Sequence, residues 1–331
     1  MQDFKSFSER VTNLTPHDFE KLALDLFFFQ VENNPVYRQY VIARKIDTST
    51  INRLDKIPFL PIRFFKDQEV ISGPASLFSG TYSSSGTTGM ITSKHHIWSE
   101  SWYLKQAQKT FESFYGPLTD FHVLALLPAY LERPGSSLVS MAKHFIEKSQ
   151  SSHSGFYLYN QSELLEKLKF LANGSKKVLL LGVTFALLDL AELGEKFTKN
   201  DNLIVMETGG MKGRRKEMIR EEVHDRLTSF FQVKSIHSEY GMTELMSQAY
   251  SKGEGKYMLP VTMRVMLRDV NDPLAWSQRS QGGINVIDLA NFHSCSFIET
   301  QDLGRIDSSG MLEVLGRFDH SEIRGCNLLV Q

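Results

Sequence analysis

The segment KKVLLLGVTFALLDLAELGEKF, residues 176–197, decides the fold class of this chain. A short apolar run leads directly into a stretch of helical periodicity, which is typical of a buried strand followed by a helix. The same alternation continues on both sides. FHVLALLP (121–128) and NLIVME (202–207) indicate buried strands, and GSSLVSMAKHFIEKS (135–149) and RRKEMIREEVHDRLTSFF (214–231) indicate helices. The pattern predicts an α/β fold with a parallel sheet flanked by helices.

The two ends of the chain have different patterns. Residues 14–34 predict a helix that starts at a Thr-Pro pair. From about residue 260 the helical patterns become rare, and GGINVIDLA (282–290) and GMLEVLGRFD (310–319) predict strands of a smaller β region. In the helix predicted within 214–231, the apolar stripe consists of Ile219, Val223 and Leu227.

The composition excludes several classes of function. The chain has 331 residues, 41% of them hydrophobic, and 37 basic against 38 acidic residues. This balance predicts neither nucleic-acid binding nor attraction to a membrane surface. The N-terminus lacks an apolar signal region, and the apolar runs are too short or too charged to span a bilayer. Two cysteines, Cys295 and Cys326, fit a reducing compartment, so we expect a cytoplasmic protein.

Loops that follow apolar runs are informative, because an open α/β sheet binds ligands beyond the carboxyl ends of its strands. YSSSGTTGM (82–90) combines glycines, which let backbone N–H groups approach a phosphate, with hydroxyl donors. It suits the β- and γ-phosphates of a nucleotide; the alternative is a flexible surface loop. The candidate phosphate-binding residues are Ser84, Ser85, Gly86, Thr87, Thr88 and Gly89.

A second loop, HSEYGMTEL (237–245), offers groups for the rest of a nucleotide. Tyr240 has a flat face for a base, Gly241 follows it, and Thr243 supplies a hydroxyl. The Glu244 carboxylate suits a magnesium ion that bridges phosphates. The alternative is that Glu244 only caps a helix starting near Thr243.

Two further loops lie near the C-terminus. In ETQDLGRID (299–307), Asp302 precedes a glycine and can accept hydrogen bonds from both ribose hydroxyls; the alternative is a hairpin turn with a solvated aspartate. In VLGRFDHSEIRG (314–325), Arg317 and Asp319 flank an aromatic residue at the end of a predicted strand, and the alternative to a functional role is a surface ion pair.

Taken in order, these loops resemble the motifs of the adenylate-forming superfamily, which includes acyl-CoA synthetases and phenylacetate-CoA ligases. Its members activate a carboxylate with ATP, release pyrophosphate and pass the acyl group from AMP to a thiol. The resemblance implies ATP and Mg²⁺ as cofactors, with the metal on Glu244. It assigns Asp302 to the ribose and residues 316–319 to a hinge. It also implies adenine-binding residues in ETGGMKG (207–213), namely Gly209, Gly210 and Met211.

A closer resemblance is to the acyl-protein synthetase (LuxE-type) family. It implies that the near-terminal Cys326 receives the acyl group, whereas the residue type alone also fits a buried, inert cysteine. The chain ends soon after the hinge, so we expect no C-terminal lid lobe and no lysine from it; Lys94 is then a candidate catalytic residue. The segments that carry this resemblance are VENNPVYRQY, IPFLPIRFFK, LLPAYLERPGSSLVSMAKHFI, GGMKGRRKEM and GRFDHSEIRGCNLLV.

Three hypotheses follow. The first is an acyl-protein synthetase that activates a fatty or aryl acid and passes the acyl group through Cys326 to a partner acyl reductase, with Thr243 and Glu244 also catalytic. The second is a ligase that acylates CoA or a carrier protein directly. The third is a non-catalytic nucleotide-binding subunit. The expected organisation is an N-terminal helical part (1–80), a nucleotide-binding core (81–260), a β-rich region (261–315) and a hinge with a tail (316–331).

Overall fold

A computed structural model describes residues 2–84, 92–128, 135–158, 160–172, 174–194, 196–209 and 218–318. Within these ranges, the helices are α1 (Gln2–Thr12), α2 (Phe19–Asn33), α3 (Pro35–Ala43), α4 (Phe64–Asp67), α5 (Glu100–Tyr115), α6 (Ser137–Lys148), α7 (Gln161–Leu171), α8 (Thr184–Leu193) and α9 (Arg220–Phe231). The strands are β1 (Leu60–Pro61), β2 (Gly80–Ser83), β3 (Lys94–Ile97), β4 (Phe121–Leu126), β5 (Gly155–Tyr157), β6 (Lys177–Val183), β7 (Leu203–Thr208), β8 (His237–Tyr240), β9 (Ala249–Ser251), β10 (Lys256–Met258), β11 (Met263–Arg268), β12 (Gln281–Asp288), β13 (Phe297–Ile306) and β14 (Leu312–Arg317).

The described residues fall into two compact units. The first contains residues 2–64, 70–72 and 261–318, and the second contains residues 65–69 and 73–260 with the gaps given above. The predicted division into four parts stays a prediction. None of the helices in the described ranges is long and apolar enough to cross a membrane.

The predicted parallel sheet lies in the second unit. Its strands follow the order β10-β9-β8-β7-β6-β4-β5. Strands β4, β5, β6, β7 and β8 are parallel to one another. Strand β9 pairs antiparallel with β8, and β10 pairs antiparallel with β9. Helices α6 to α9 connect the successive parallel strands. The sheet is buried from Val178 to Val183 in β6, as expected for a strand covered on both faces. The α/β prediction from residues 121–207 is therefore confirmed.

Helix α9 begins later than its pattern predicted. Ile219 is the N-cap residue and its side chain is 68% exposed, so the prediction that it belongs to the apolar stripe is wrong. A residue before the first turn is not on the packed face of the helix. Val223 and Leu227 are buried as predicted, together with Phe230 and Phe231.

The first unit joins the N-terminal helices to the β region that begins near residue 261. Strands β11, β12, β13 and β14 are antiparallel neighbours in that order, and β1 runs parallel to β13. Helix α2 begins at Phe19, after a turn in which the Asp18 N–H donates to the Thr15 carbonyl at 3.1 Å. Its buried Gln30 donates to the carbonyl of Phe292 at 3.1 Å, which attaches the helix to the loop between β12 and β13.

Candidate active site

The carboxyl ends of β7 and β8 bring two predicted residues to one edge of the sheet. The strands are parallel, and Thr208 pairs with Glu239. Gly209 therefore leaves β7 beside Tyr240, the last residue of β8. Gly209 has φ of +83°, a left-handed conformation that favours glycine. The Tyr240 ring is 8% exposed and packs edge-on against Tyr257, with ring centroids 5.8 Å apart. Gly210 and Met211 lie outside the described residues.

The residues after Tyr240 form a tight turn. The Leu245 N–H donates to the Met242 carbonyl at 3.1 Å, and no helix starts at Thr243 in this described segment. The alternative of Glu244 as a helix cap is therefore wrong. Glu244 lies in the turn and is only 6% exposed. A buried carboxylate at the edge of a parallel sheet is in the region where such folds bind ligands.

The predicted phosphate loop begins and ends on the β2–β3 hairpin. Beyond the last strand pair, Ser83 with Lys94, the Ser84 N–H donates to the Ser93 carbonyl at 3.0 Å. The Ser84 hydroxyl oxygen accepts from the Ser93 N–H at 2.9 Å. These bonds fix the two ends of the loop against each other. Its other candidate residues, Ser85, Gly86, Thr87, Thr88 and Gly89, lie outside the described residues.

A buried histidine joins this hairpin to the turn after β8. His95 in β3 is fully buried, and its Nδ1 donates to the Thr243 carbonyl at 2.7 Å. This bond places the base of the phosphate loop next to Thr243 and Glu244. His96 pairs instead with the Thr81 hydroxyl at 2.9 Å, because adjacent residues of a strand point to opposite faces.

A buried carboxyl lies directly beneath the turn. The Glu239 side chain accepts a hydrogen bond from the Thr208 hydroxyl at 2.5 Å. Burial, together with the nearby Glu207, raises the Glu239 pKa to about 7 against the lowering effect of the Thr208 hydrogen bond. A Cβ on Gly241 would lie 2.4 Å from Glu239 Oε1, so the chain turns tightly over this carboxyl. The group can hold or release a proton near neutral pH.

The neighbouring carboxyl of Glu207 points to the other face of β7. It accepts a hydrogen bond from the Thr184 hydroxyl at 2.6 Å, and His224 Nε2 lies 3.7 Å away. Burial raises the Glu207 pKa, but His224 and the hydroxyls of Thr184 and Ser238 lower it more, so the net shift is downward. One strand pair thus carries two carboxyls with opposite pKa shifts.

Sequence analysis did not identify Glu207, Thr208 or Glu239 as site residues. A signal was present for Glu207 and Thr208, which follow the apolar run 203–206, whereas Glu239 follows the mixed segment 232–238 and gave none. A carboxyl at such a position is rarely buried without a partner. Their pairing across β7 and β8 follows only from the parallel register.

The first unit contains the predicted ribose-binding residue. Asp302 lies within β13 and is 5% exposed, so the alternative of a hairpin turn with a solvated aspartate is wrong. It pairs in register with Arg317 of β14, and Arg317 Nε lies 3.4 Å from Asp302 Oδ1. The pairing has a bulge between Leu303 and Gly304. The Arg317 side chain is 79% exposed, which leaves its guanidinium accessible to a ligand.

The described residues suit a magnesium ion held largely by a nucleotide. Within the described ranges, no three His, Cys, Asp or Glu side chains come together as a ready-made metal site. Mg²⁺ commonly takes one or two carboxylates and completes its shell with phosphate oxygens and water. Glu244, a single buried carboxylate in the turn after β8, stays a predicted magnesium ligand.

Three other features bear on the predicted residues. Cys295 is fully buried, and burial raises the pKa of its thiol to about 12, which makes it unreactive. Cys326 lies outside the described residues.

A cavity of about 90 Å³ in the first unit is lined by Arg44, Trp276 and Glu299 among others and contains none of the predicted site residues.

Comparison with known proteins identifies the fold. No family model matches the chain, and no curated protein matches its sequence. Its structure is similar to that of 2-hydroxyisobutyryl-CoA ligase in complex with 2-HIB-AMP and CoA, in the thioesterification state. The TM-score is 0.68 at 13% identity, covering 93% of this chain and 70% of the ligase. The open conformation of that ligase gives a TM-score of 0.66 at 11% identity, covering 91% of this chain and 69% of the ligase.

A second protein shares the fold with a lower TM-score. ATP-bound MatB from Rhodopseudomonas palustris gives a TM-score of 0.55 at 17% identity, covering 75% of this chain and 49% of MatB. The chain therefore shares a fold with these two proteins, and the predicted α/β fold class is confirmed. It spans about two thirds of one relative's length and about half of the other's.

Proposed function

We propose that this protein activates a carboxylic acid with ATP to form acyl-AMP and then transfers the acyl group to a thiol. The observation that carries the proposal is the cluster of predicted residues in the second unit. Gly209, Tyr240 and Glu244 lie at the ends of β7 and β8, and His95 attaches the phosphate-loop hairpin to the same turn. The fold, shared with ligases whose structures contain acyl-AMP, CoA or ATP, supports this function.

The proposed roles follow from the chemistry of each group. Tyr240 and the glycines at 209 and 210, with Met211, would bind adenine. The hydroxyls and backbone N–H groups of Ser84 to Gly89 would bind the pyrophosphate portion, with Lys94 as a further cation. Glu244 would hold Mg²⁺, which when bound neutralises phosphate charge.

Asp302 and Arg317, in the first unit, keep the roles that the resemblance implies. The Asp302 carboxylate would accept hydrogen bonds from the ribose hydroxyls, as charged acceptors do strongly. Arg317, whose guanidinium is exposed, would contact a phosphate.

The chemistry requires no covalent bond to the protein in its first step. A carboxylate oxygen of the acid attacks the α-phosphorus of ATP, and the bond to the bridging oxygen breaks as pyrophosphate leaves. The protein's task is to hold the reactants in line and to stabilise the charge of the leaving group. In the second step a thiolate attacks the acyl carbonyl, and AMP leaves with the electrons of the acyl–oxygen bond.

Exchange of labelled pyrophosphate into ATP, measured with a panel of fatty and aryl acids, tests the first step. We expect exchange that depends on one class of acid. Glu244→Gln should lower the exchange rate about 100-fold, as loss of one charge-stabilising group commonly does. Glu254→Gln, in an exposed turn, is the matched control and should leave it unchanged. No exchange with any acid would favour a nucleotide-binding subunit instead.

The acceptor is the finer part of the proposal. We propose that Cys326 receives the acyl group, as the resemblance to acyl-protein synthetases implies, and passes it to a partner such as an acyl reductase. A thiolate is a strong nucleophile, and the neighbouring Arg324 in the sequence favours it. The two cysteines fit a reducing compartment, and we propose the cytoplasm. The second candidate is direct transfer to CoA or a carrier protein, favoured by the CoA bound to the similar ligase.

Labelled acid separates these acceptors. With ATP and the preferred acid, we expect a hydroxylamine-sensitive label on the protein that Cys326→Ser removes without lowering pyrophosphate exchange. Cys295→Ala is the matched control and should keep the label, because that thiol is buried and inert. Unchanged acyl-CoA formation by Cys326→Ser would support direct transfer to CoA.

A further inference from the structure

A buried arginine in the first unit ties three strands together. Arg268, the last residue of β11, is 5% exposed. Its Nη1 donates to the Ile284 carbonyl and to Asn285 Oδ1, each at 2.9 Å. Its Nη2 donates to the Thr300 carbonyl at 2.7 Å. The guanidinium thus joins β11 to β12 and β13 through its fixed fork of donors.

The backbone leaves room for this guanidinium. Gly283 is the register partner of Arg268 on β12. A Cβ at Gly283 would lie 2.5 Å from Arg268 Cζ, inside the contact limit for any side chain. Any other residue at position 283 would displace the guanidinium. The buried position of Arg268 therefore requires glycine at residue 283.

Thr300 connects the guanidinium to the backbone of the predicted ribose-binding residue, Asp302. Arg268 donates to the Thr300 carbonyl, as described above. The hydroxyl oxygen of the same Thr300 accepts a hydrogen bond from the Asp302 N–H at 3.1 Å. Burial lowers the pKa of Arg268, while the Glu299 and Asp302 carboxylates act in the opposite direction. Arg268 is ion-paired with Glu299, with Nε 3.8 Å from Glu299 Oε1, and its buried charge also acts on Asp302. Arg317, the other cation at Asp302, is largely exposed and screened by water.

A third contact extends to the segment after β14. Arg268 Cζ lies 5.3 Å from the centre of the Phe318 ring, a cation–π distance. The Phe318 N–H donates to the Gln301 carbonyl at 2.8 Å. Arg268 thus holds the residue before Asp319 as well as the strand that carries Asp302.

We propose that Arg268 is a positioning residue for nucleotide binding, which fixes the Asp302 carboxylate for the ribose hydroxyls and couples it to the Phe318 segment. The inference rests on the proposed function. The Arg268 guanidinium is buried and donates its hydrogen bonds to the chain itself. It therefore acts on the nucleotide only through Asp302. Its removal would break the hydrogen bond to the Thr300 carbonyl, free the Thr300–Asp302 backbone to shift and leave Glu299 without this ion-pair partner.

Binding of ATP and of 2′,3′-dideoxy-ATP to the full chain, by titration calorimetry, tests this proposal. Hydrogen bonds from the ribose hydroxyls to a charged acceptor predict that the wild type prefers ATP by about 10- to 100-fold. Asp302→Ala should abolish the preference. Arg268→Met should reduce it at least about tenfold although Asp302 is present. In the Asp302→Ala background, Arg268→Met should cause no further loss of preference.

The matched control is Arg264→Met, on the same strand and face. Arg264 makes its own cation–π contact, 4.2 Å from the Phe19 ring, and should leave the preference at its wild-type value. Gly283→Ala provides a second route that does not delete the buried charge: it keeps Arg268 but displaces the guanidinium. It should also reduce the preference.

The outcomes separate the two proposals. Failure of the wild type to bind ATP would contradict the proposed function itself. A wild type that binds ATP with the expected preference, together with folded Arg268→Met or Gly283→Ala variants that retain it, would overturn the role of Arg268 alone. Equal binding of ATP and the dideoxy analogue by the wild type would overturn the role of both Asp302 and Arg268.

Discussion

Replacing Glu239 with glutamine should change how the stability of the second unit depends on pH. The carboxyl is buried beneath Gly241 and accepts a hydrogen bond from Thr208 at 2.5 Å. Its pKa is raised from the usual 4.5 to about 7, first by burial and then by Glu207. Glutamine has nearly the same shape, can bond to the same hydroxyl and cannot ionise.

The magnitude follows from the raised pKa. The folded state holds the Glu239 proton more tightly than the unfolded state, so stability is lost as the pH rises from about 4.5 to about 7. At 1.36 kcal/mol for each pKa unit, the loss is about 3 kcal/mol. Relative to the wild type, Glu239→Gln should therefore gain about 2–3 kcal/mol of stability between pH 5 and pH 8.

Another buried group titrates in the opposite direction. Burial lowers the pKa of His237 to about 4, so its contribution to stability is present above pH 6.5 and is lost as the pH falls towards 4. The wild-type profile combines both effects. The difference between Glu239→Gln and wild type isolates the carboxyl, since both proteins contain His237.

Urea unfolding at pH 5, 6, 7 and 8 measures this difference. Trp98 and Trp102 report on the second unit when Trp276 of the first unit is replaced by phenylalanine in every protein compared. Glu222→Gln, at an exposed ion pair on α9, is the matched control and should show a difference that does not change with pH. The same pH-independent difference for Glu239→Gln would refute the idea that Glu239 takes up its proton near neutrality.

Two further changes test how the turn after β8 is held. His95→Ala removes the 2.7 Å hydrogen bond to the Thr243 carbonyl and should lower the rate of pyrophosphate exchange at least about tenfold. His96→Ala, on the opposite face of the strand, should keep the rate within about twofold of the wild type. Similar rates for the two variants would argue against the role of the buried hydrogen bond. Gly241→Ala places a Cβ 2.4 Å from a carboxylate oxygen two residues earlier and should destabilise the second unit by about 1–3 kcal/mol in urea unfolding. Gly155→Ala, where a Cβ has nothing within 4 Å, should be neutral, and equal losses at both glycines would contradict the steric argument.

The sequence was sufficient for the elements whose periodicity is strong. The apolar runs at 121–128, 176–183 and 202–207 became parallel strands, because strands buried on both faces need continuous apolar residues. The loop predicted over 237–245 was wrong in its first part, because His237 to Tyr240 form β8; no continuous apolar run precedes Tyr240 in the sequence. Helix starts were less certain, as the exposed Ile219 shows, since the N-cap position lies outside the periodic pattern.

The buried polar contacts needed the tertiary structure. His95 and Thr243 are 148 positions apart in the chain, and only the packing of the hairpin against the turn brings them to 2.7 Å. Arg268, at the end of an ordinary strand pattern, gave no sign that it would be buried with its guanidinium between strands. The sequence alone determined which residue types could bind a nucleotide and in what order they come. Strand register and burial decided which of these residues lie next to each other. They also decided which carboxyls have a raised pKa, because the environment of a charged group depends on neighbours that are distant in sequence.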